Sequence, residues 1–303
     1  MKIGMIGLGT MGANMVERLL EGGHEVVGFD RDPRAVARVT EKGAAAAGSL
    51  DDLIAGLRPV RVVWIMVPAG APVQSTLEAL LSRLEKGDVV IDGGNSHYVD
   101  SMRRAELAAQ RGVHFVDVGT SGGIWGRQQG YSMMVGGDAG VVESLRPILE
   151  TLAPGPERGW GRVGPVGAGH FVKMVHNGIE YGLMQAYAEG FAILRHKEAF
   201  ALDVHQVAEI WRYGSVVRSW LLDLTASGLK ENPALDGIAP YVADSGEGRW
   251  TVNEAIDLGV PAPVITLSLM KRFASRDDNS FSDRLLALMR HEFGGHAIKR
   301  AEP

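Results

Sequence analysis

Short apolar runs alternate with amphipathic segments through the first half of the chain. The runs are rich in Val and Ile, and residues 62–67 are apolar at every position, as expected for strands that are covered on both sheet faces. They predict strands at Ile3–Ile6, Glu25–Phe29, Val62–Val67, Val89–Ile91, Val113–Val118 and Ser132–Val135. The intervening segments predict helices at Gly12–Glu21, Pro33–Lys42, Leu50–Leu57, Val73–Leu84, Tyr98–Arg111 and Gly140–Leu152. This alternation predicts a doubly wound, mainly parallel α/β sheet.

The pattern changes after residue 153. Glycine and proline crowd residues 154–169, which predicts a loop, and strand-like runs almost disappear beyond it. The later segments predict helices at His170–Arg195, Asp203–Trp211, Ser215–Thr225, Trp250–Leu258, Pro263–Arg272 and Ser282–Glu292. We therefore predict two domains, an α/β domain at residues 1–163 and an all-α C-terminal domain at residues 164–303, in agreement with about 150 residues per domain.

Composition narrows the function classes. The chain has 303 residues, 31 Lys and Arg against 36 Asp and Glu, and no cysteine. The net charge of −5 argues against nucleic acid or an anionic membrane as a partner. The absence of cysteine excludes disulfides, thiolate metal sites and cysteine nucleophiles. No apolar run reaches about 18 residues, and no basic leader opens the chain, so we expect a cytoplasmic protein without a secretory signal.

A glycine-rich turn follows the first predicted strand. Gly7-Leu8-Gly9-Thr10-Met11-Gly12 fits G-x-G-x-x-G between a strand and a helix. Gly7 permits the tight turn, Gly9 lets the backbone approach a pyrophosphate, and Gly12 permits close packing of helix on strand. The helix N-terminus offers free N–H groups to the phosphates. The motif predicts a Rossmann-type dinucleotide-binding domain, the alternative being a glycine turn with only a packing role.

An aspartate ends the second predicted strand, 18 residues after Gly12. A carboxylate at Asp30 would accept hydrogen bonds from the ribose hydroxyls of NAD and repel the 2′-phosphate of NADP. Arg31 could instead reach a 2′-phosphate, and Asp32 counters its charge. The pattern favours NAD, with NADP possible.

Five polar side chains recur at helical spacing early in the long predicted helix. Lys173, His176, Asn177, Glu180 and Tyr181 stand at i, i+3, i+4, i+7 and i+8, and at about 100° per residue they share one face. Buried polar groups need a partner, water or a ligand. A neutral amine can accept a proton and a carboxyl group can donate one, so Lys173 and Glu180 are candidate base and acid, and His176 a candidate substrate-positioning residue. The alternative is a solvent-exposed face with a charge pair.

Together with three further motifs, this stripe resembles the 6-phosphogluconate dehydrogenases of the shorter bacterial type, in the β-hydroxyacid dehydrogenase superfamily. The further motifs are Asp92-Gly93-Gly94-Asn95-Ser96, Ser121-Gly122-Gly123 and Phe293-Gly294-Gly295-His296. The resemblance implies oxidative decarboxylation of 6-phospho-D-gluconate to D-ribulose 5-phosphate and CO2, with reduction of NAD or NADP and without a metal. It implies that Lys173 takes the proton of the 3-hydroxyl group and that Glu180 protonates the carbon that becomes C1 of ribulose 5-phosphate.

The resemblance also implies binding residues. The expected cofactor-binding residues are Gly7, Leu8, Gly9, Thr10, Met11, Gly12, Asp30, Arg31, Met66, Val67, Pro68 and Asn95. The expected substrate-binding residues are Asn95, Ser121, Gly122, Gly123, His176, Asn177, Tyr181, Arg249, Arg290 and His296. Tyr181 and Arg249 would bind the phosphate, while Arg290 and His296 would come from a neighbouring subunit of a homodimer or homotetramer.

The chain departs from the long family members at several positions. They usually have a lysine where Arg249 stands and Asn-Arg-Thr where Asp30-Arg31-Asp32 stands, and they carry a second helical repeat. A further phosphate-binding arginine has two candidates, Arg272 and Arg276. Two alternative functions stay open: another β-hydroxyacid dehydrogenase, such as one acting on 3-hydroxyisobutyrate, and a non-catalytic dinucleotide-binding protein.

Overall fold

The structure, a computed structural model, describes residues 1–299 except for the side chain of Phe293. The backbone forms two compact units, Met1–Asn177 and Gly178–Pro303. The division between these units falls within a helix, whereas the sequence predicts a domain boundary between residues 163 and 164. That boundary stays a prediction.

The first unit is built on one eight-stranded sheet. Its strands are β1 (Lys2–Ile6), β2 (Glu25–Phe29), β3 (Ala45–Ala46), β4 (Val62–Ile65), β5 (Val89–Asp92), β6 (His114–Ser121), β7 (Ser132–Gly136) and β8 (Trp160–Gly164). They lie in the order β3-β2-β1-β4-β5-β6-β7-β8. β6 and β7 pair antiparallel, and the other neighbours pair parallel. The order reverses beside β1, where doubly wound sheets bind ligands at the carboxyl ends of their strands.

Helices cover both faces of this sheet. They are α1 (Thr10–Glu21), α2 (Pro33–Thr40), α3 (Leu50–Ala55), α4 (Ala71–Leu81), α5 (Tyr98–Ala109), α6 (Gly126–Gln129), α7 (Ala139–Ser144) and α8 (Arg146–Leu152). Alternate residues of one strand enter separate cores: Trp64 packs in one cluster and Val63 in the other. Because both faces are buried, the strand shows no alternation of apolar and polar residues.

Two short strands were not predicted. β8 lies inside the segment 154–169 that was expected to be a loop, and β3 is only Ala45–Ala46. The expected loop is wrong at β8, and no element was predicted at β3. Pairing with β7 and β2 defines these strands, and their alanine and glycine residues are depleted in ordinary strands.

The helix predicted at Gly140–Leu152 is divided in two. Leu145 ends α7 and precedes α8, and Pro147 is the second residue of α8. Proline is accepted in a first helical turn but not in a helix interior, so it favours a new helix start.

The second unit is helical in its described part. Its elements are α9 (Ala168–His196), which begins in the first unit, α10 (Val204–Trp211), α11 (Trp220–Glu231), α12 (Glu247–Asp257), α13 (Pro263–Ala274) and α14 (Phe281–Gly294). α11 begins later than the predicted Ser215 because the hydroxyl of Ser219 caps it, accepting from Leu222 N at 3.2 Å.

The predicted fold class, a doubly wound sheet followed by a helical domain, is confirmed. Among residues 1–299, every helix is too short or too polar to span a bilayer.

Candidate functional site

The glycine turn lies between β1 and α1 and is shaped by close backbone contacts. Gly7 has φ +91°, and a methyl group there would overlap the carbonyl of Met66. A methyl group at Gly12 would overlap the carbonyl of Gly7, whereas one at Gly9 meets nothing within 4 Å in the described part of the chain. Gly7 and Gly12 are therefore required by packing, and Gly9 faces open space into which a ligand phosphate fits.

The N-terminus of α1 is suited to an anion. Gly9 is its N-cap residue, and no described side chain caps it. The first turn carries no acidic residue, so the N–H groups and the positive end of the helix dipole are available to a phosphate.

Asp30 stands at the carboxyl end of β2, next to this turn. Its Oδ2 accepts from Leu8 N at 2.6 Å and its Oδ1 from Asp32 N at 2.9 Å. An open groove of about 640 Å³ begins at Asp30 and Arg31 and continues along α2 to Gly48. The carboxylate is thus held in place at the mouth of a groove where the adenosine half of a dinucleotide fits.

Arg31 is exposed, and a second arginine in this segment is already paired. Arg34 Nε lies 3.1 Å from Asp32 Oδ1, and hydrogen bonds from Arg34 are the main reason that the pKa of Asp32 is lowered. The charge of Arg34 is therefore offset, whereas the exposed Arg31 lines the groove and could face a 2′-phosphate.

The segment after β4 lies beside the glycine turn. Met66 N donates to Ile6 O at 2.7 Å, and Val67 Cγ1 is 3.1 Å from the position that a Cβ atom would take at Gly7. Pro68 follows at the surface. The structure therefore brings Met66 and Val67 together with the glycine turn, as a cofactor-lining segment requires.

Asn95 is joined to the end of β6. It has φ +51°, its Oδ1 accepts from Thr120 N at 3.1 Å, and its Nδ2 is 3.5 Å from Thr120 O. These bonds place Asn95 beside Ser121, the last residue of β6.

A buried ion pair holds the turn that carries Asn95. Arg104 Nη1 lies 3.3 Å from Asp92 Oδ2 and 3.0 Å from Ser96 Oγ, and Nη2 donates to Gly70 O at 2.9 Å. Asp92, Ser96 and Arg104 are almost fully buried. Arg104 was not predicted as a functional residue, because in the sequence it looks like one more charge on an amphipathic helix.

Ser121, Gly122 and Gly123 form the turn that leaves β6. Gly122 has φ +132° and Gly123 has φ +50°, so both are in conformations that side chains disfavour. Tyr131 packs beneath the turn, 3.1 Å from the Cβ position of Gly122, and burial raises its pKa to about 12. The turn presents the half-buried Ser121 beside Asn95.

Lys173 lies in the second turn of α9 and is 5% exposed. Its Nζ is 3.4 Å from His176 Nδ1, and that nitrogen is 3.0 Å from Asn177 Oδ1. A methyl group at Gly119 of β6 would overlap Lys173 Cβ, so the strand allows the helix to approach closely. Three members of the predicted stripe therefore lie together in the first unit.

The other two members of the stripe are in the second unit. Glu180 is half-buried, and Tyr181 is buried, with its hydroxyl accepting from Ser245 N at 3.3 Å. The guanidinium of Arg272 lies 3.5 Å above the Tyr181 ring and donates to Ala243 O at 2.8 Å.

Asp244 joins two arginines of the same unit. It accepts from Arg249 Nε at 2.6 Å and Nη2 at 3.2 Å, and Arg276 Nη1 lies 2.8 Å away. These arginines, Arg249 above all, lower the pKa of Asp244. Arg249 also stacks on Phe273, with 4.3 Å between guanidinium carbon and ring centre. The predicted phosphate-binding arginine is thus part of an ion-pair cluster.

Two predicted residues lie near the C-terminus. Arg290 belongs to α14 and His296 follows it, and both are exposed. His296 O is 2.9 Å from His291 Nδ1. Their predicted place in a neighbouring subunit's site stays a prediction.

Two family models together cover most of the chain. Residues 2–163 match the NAD binding domain of 6-phosphogluconate dehydrogenase, and residues 169–301 match the 6-phosphogluconate dehydrogenase C-terminal domain. The fold and the glycine turn thus define an NAD-binding protein of the Rossmann type with a helical C-terminal domain.

Relatives of similar length agree with these matches. The NAD(+)-dependent, decarboxylating 6-phosphogluconate dehydrogenase of Haloferax volcanii is 46% identical over 100% of both chains. A putative 6-phosphogluconate dehydrogenase of Bacillus subtilis is 43% identical over 99% of this chain and 100% of its own. The chain belongs to the 6-phosphogluconate dehydrogenase family, and the resemblance inferred from the motifs is confirmed.

Solved structures show the same relationship. Plasmodium falciparum 6-phosphogluconate dehydrogenase superposes with a TM-score of 0.83 at 30% identity, over 100% of this chain and 67% of its own. Mycobacterium tuberculosis 3-hydroxyisobutyrate dehydrogenase superposes with a TM-score of 0.72 at 25% identity, over 88% of this chain and 90% of its own.

Proposed function

We propose that this chain is a decarboxylating 6-phosphogluconate dehydrogenase that prefers NAD. It converts 6-phospho-D-gluconate to D-ribulose 5-phosphate and CO2. The observation that carries the proposal is Lys173, a buried lysine packed on Gly119, followed two turns later on α9 by Glu180. A base and an acid on one helix are what oxidation followed by decarboxylation requires.

The cofactor proposal is supported by the open space at Gly9, the uncapped start of α1 and the anchored carboxylate of Asp30. Residues 7–12 hold the pyrophosphate, Asp30 accepts from the ribose hydroxyls, and Met66, Val67 and Pro68 line the nicotinamide half. A bound nicotinamide would supply the hydride acceptor that oxidation at C3 of the substrate needs. The fixed negative charge of Asp30 disfavours a 2′-phosphate, which supports NAD over NADP.

In the oxidation step, Lys173 takes the proton of the 3-hydroxyl group. The neutral amine is the form that accepts a proton. His176, 3.4 Å from Nζ, helps to orient that amine. The product of this step is a 3-keto acid.

In the second step, the bond between C1 and C2 breaks, CO2 leaves, and the electron pair moves to the C3 carbonyl oxygen. The protonated Lys173 stabilises the enediol oxygen that forms. Glu180 then protonates the carbon that carried the carboxylate, and loss of the hydroxyl proton gives the ketone.

Separate sets of residues hold the two ends of the substrate. Asn95, Ser121 and the N–H groups of Gly122 and Gly123 hold the carboxylate end, and Asn177 assists. Tyr181, Arg249 and Arg272 hold the phosphate. We favour Arg272 over Arg276 because Arg272 stacks on Tyr181, the other residue proposed to bind the phosphate. Arg290 and His296 complete the site of a neighbouring subunit in a homodimer or homotetramer.

An assay at 340 nm with 6-phosphogluconate and each cofactor tests this function. We expect an increase in absorbance with one CO2 released per NADH formed, and a larger kcat/KM with NAD than with NADP. Oxidation of 3-hydroxyisobutyrate in preference to 6-phosphogluconate would favour the other dehydrogenase. Binding of substrate and cofactor without an increase in absorbance would favour the non-catalytic alternative.

Asp30→Ser tests the cofactor preference. Loss of the charged hydrogen bonds to the ribose lowers kcat/KM with NAD by about tenfold, and removal of the repulsion improves NADP relative to NAD. Asp138→Asn, which alters the cap of α7, is the control and leaves the ratio unchanged. An unchanged NAD/NADP ratio for Asp30→Ser would contradict the proposed role.

A further inference from the structure

The start of α9 is capped by a residue from another element. The residue before the helix is Gly167, which has no side chain to cap it. Asp117 of β6 supplies the cap instead: its Oδ1 accepts from Gly167 N and its Oδ2 from His170 N, both at 2.7 Å. One carboxylate therefore satisfies two N–H groups that the helix leaves unpaired and faces the positive end of the helix dipole.

Asp117 is fully buried. Burial raises its pKa, while the charge of His170 and the two N–H groups oppose that increase. A buried carboxylate is costly unless it is hydrogen-bonded, and these two bonds exist only when α9 begins at this point of β6. The carboxylate thus ties the start of the helix to one position on the strand.

Three glycines let the helix rest directly on the strands. A methyl group at Gly119 would lie 2.7 Å from Gly169 O, and one at Gly169 would lie 2.5 Å from the carbonyls of Asp117 and Met134. A methyl group at Gly136 would overlap Asp117 Oδ1. With so little space between helix and strand, a shift of the first turn of α9 must also shift Lys173, one turn further on.

A second contact anchors the same turn. The His170 ring is buried, and its Nδ1 is 2.7 Å from Ser101 Oγ on α5. Its Nε2 is buried without a hydrogen-bond partner among the described residues, so the serine hydroxyl is the ring's polar contact to α5.

We propose that Asp117 is a positioning residue for Lys173: by fixing the first turn of α9, it sets where the amine stands for proton transfer. His170 on α9 and its hydrogen-bond partner Ser101 on α5 assist it. This inference rests on the proposed function, because it takes Lys173 as the base.

Asp117→Asn in the full-length protein tests the inference. The amide keeps the size of the carboxylate but presents an NH2 group to one of the two N–H donors, so one cap bond is lost. We expect kcat to fall by about 10- to 100-fold, as small displacements of catalytic groups do, while the dissociation constant of NAD changes by less than about twofold, because the cap does not touch the cofactor turn. The primary isotope effect on kcat/KM, measured with substrate deuterated at C3, increases because the oxidation step becomes rate-limiting.

Asp88→Asn is the matched control. Asp88 is also buried and accepts two backbone N–H groups, from Arg61 at 2.7 Å and from Glu85 at 2.9 Å. It also pairs with Arg61 Nη1 at 3.1 Å, and it lies outside α9 and the proposed site. Its substitution lowers stability and leaves kcat and the isotope effect unchanged. Equal losses of kcat in both variants, with unchanged isotope effects, would overturn the inference, because a smaller folded fraction lowers kcat without altering the isotope effect.

Ser101→Ala decides the question if Asp117→Asn does not fold. A lower kcat with a larger isotope effect supports the inference, and no change in either overturns it.

An assay of the wild-type chain distinguishes failure of this inference from failure of the proposed function. If the wild type does not oxidise 6-phosphogluconate, the proposed function is contradicted. In that case, Asp117→Asn and Asp88→Asn are compared with the hydroxy acid that the wild type does oxidise, deuterated at its hydroxyl-bearing carbon. If the wild type oxidises no hydroxy acid, both proposals are overturned.

Discussion

Asp117 in the first unit and Asp244 in the second are both buried carboxylates, but they are held by different partners. Backbone N–H groups bind Asp117, and burial raises its pKa. Two arginines bind Asp244 and lower its pKa. Burial alone therefore does not determine the pKa of a carboxylate: two hydrogen-bonded guanidinium groups outweigh desolvation at Asp244, whereas the charge of His170 and two backbone N–H groups do not outweigh it at Asp117.

The residues packed around the two carboxylates also differ in size. Around Asp117 the packing is made by Gly119, Gly136 and Gly169, so small changes in volume displace the helix. Around Asp244 it is made by long side chains, and half of the Arg249 side chain is exposed. We expect substitutions in the first region to change mainly kcat and those in the second to change mainly KM or stability.

The largest effect is expected for Lys173→Met in the first region. Loss of the proposed base lowers kcat by about 10²- to 10⁴-fold, while NAD binding, measured by fluorescence titration, stays normal because the glycine turn is intact. A variant that keeps more than about a tenth of the wild-type rate would contradict the base role.

Gly119→Ala tests the packing of the same lysine without altering it. The new methyl group overlaps Lys173 Cβ, so we expect kcat to fall by about 10- to 100-fold. Gly161→Ala is the control in the same sheet, because a methyl group there meets nothing within 4 Å in the described part of the chain. Similar kinetics for both variants would show that the close approach of α9 to β6 does not matter.

Arg249→Met tests the second region. The loss of one charged partner for the substrate phosphate raises KM for 6-phosphogluconate by about tenfold with little change in kcat. Arg195→Met is the control: Arg195 lies on α9 about 21 Å beyond Tyr181, and donates to Pro233 O. An increase in KM for both variants would remove Arg249 from the phosphate site.

The smallest effect is expected for Asp244→Asn, measured by denaturant unfolding at several pH values. The pKa of Asp244 is lower in the folded chain than its usual 3.8, so its stabilisation is present above pH 3.8 and is lost as pH falls through the folded pKa. The variant is less stable than wild type by about 1 kcal/mol near pH 7, and the difference shrinks in acid. A difference that stays constant with pH would show that the arginines do not stabilise the ionised form.

Local patterns predicted much of the candidate site. The requirements of one turn predict Gly7, Gly9 and Gly12. The period of one helix predicts that Lys173 and Glu180 share a face. In both cases, residues close together in the chain are enough to predict the site. α9 was predicted at His170–Arg195 and extends from Ala168 to His196.

Partners far apart in sequence were not predictable in this way. Arg104 bonds to Asp92 and to Gly70, and β8 exists because it pairs with β7. No local signal distinguishes these residues from an ordinary helix charge or a glycine-rich loop.

The sequence by itself determined the order of elements, the dinucleotide turn and the helix that carries the proposed base and acid, because each depends on residues close together in the chain. Only the tertiary structure decided that Asp117 caps this helix from 50 residues away and that Arg249 is bound to Asp244. These contacts depend on which surfaces meet after folding, and packing and charge pairing between distant segments leave no periodic pattern in the sequence.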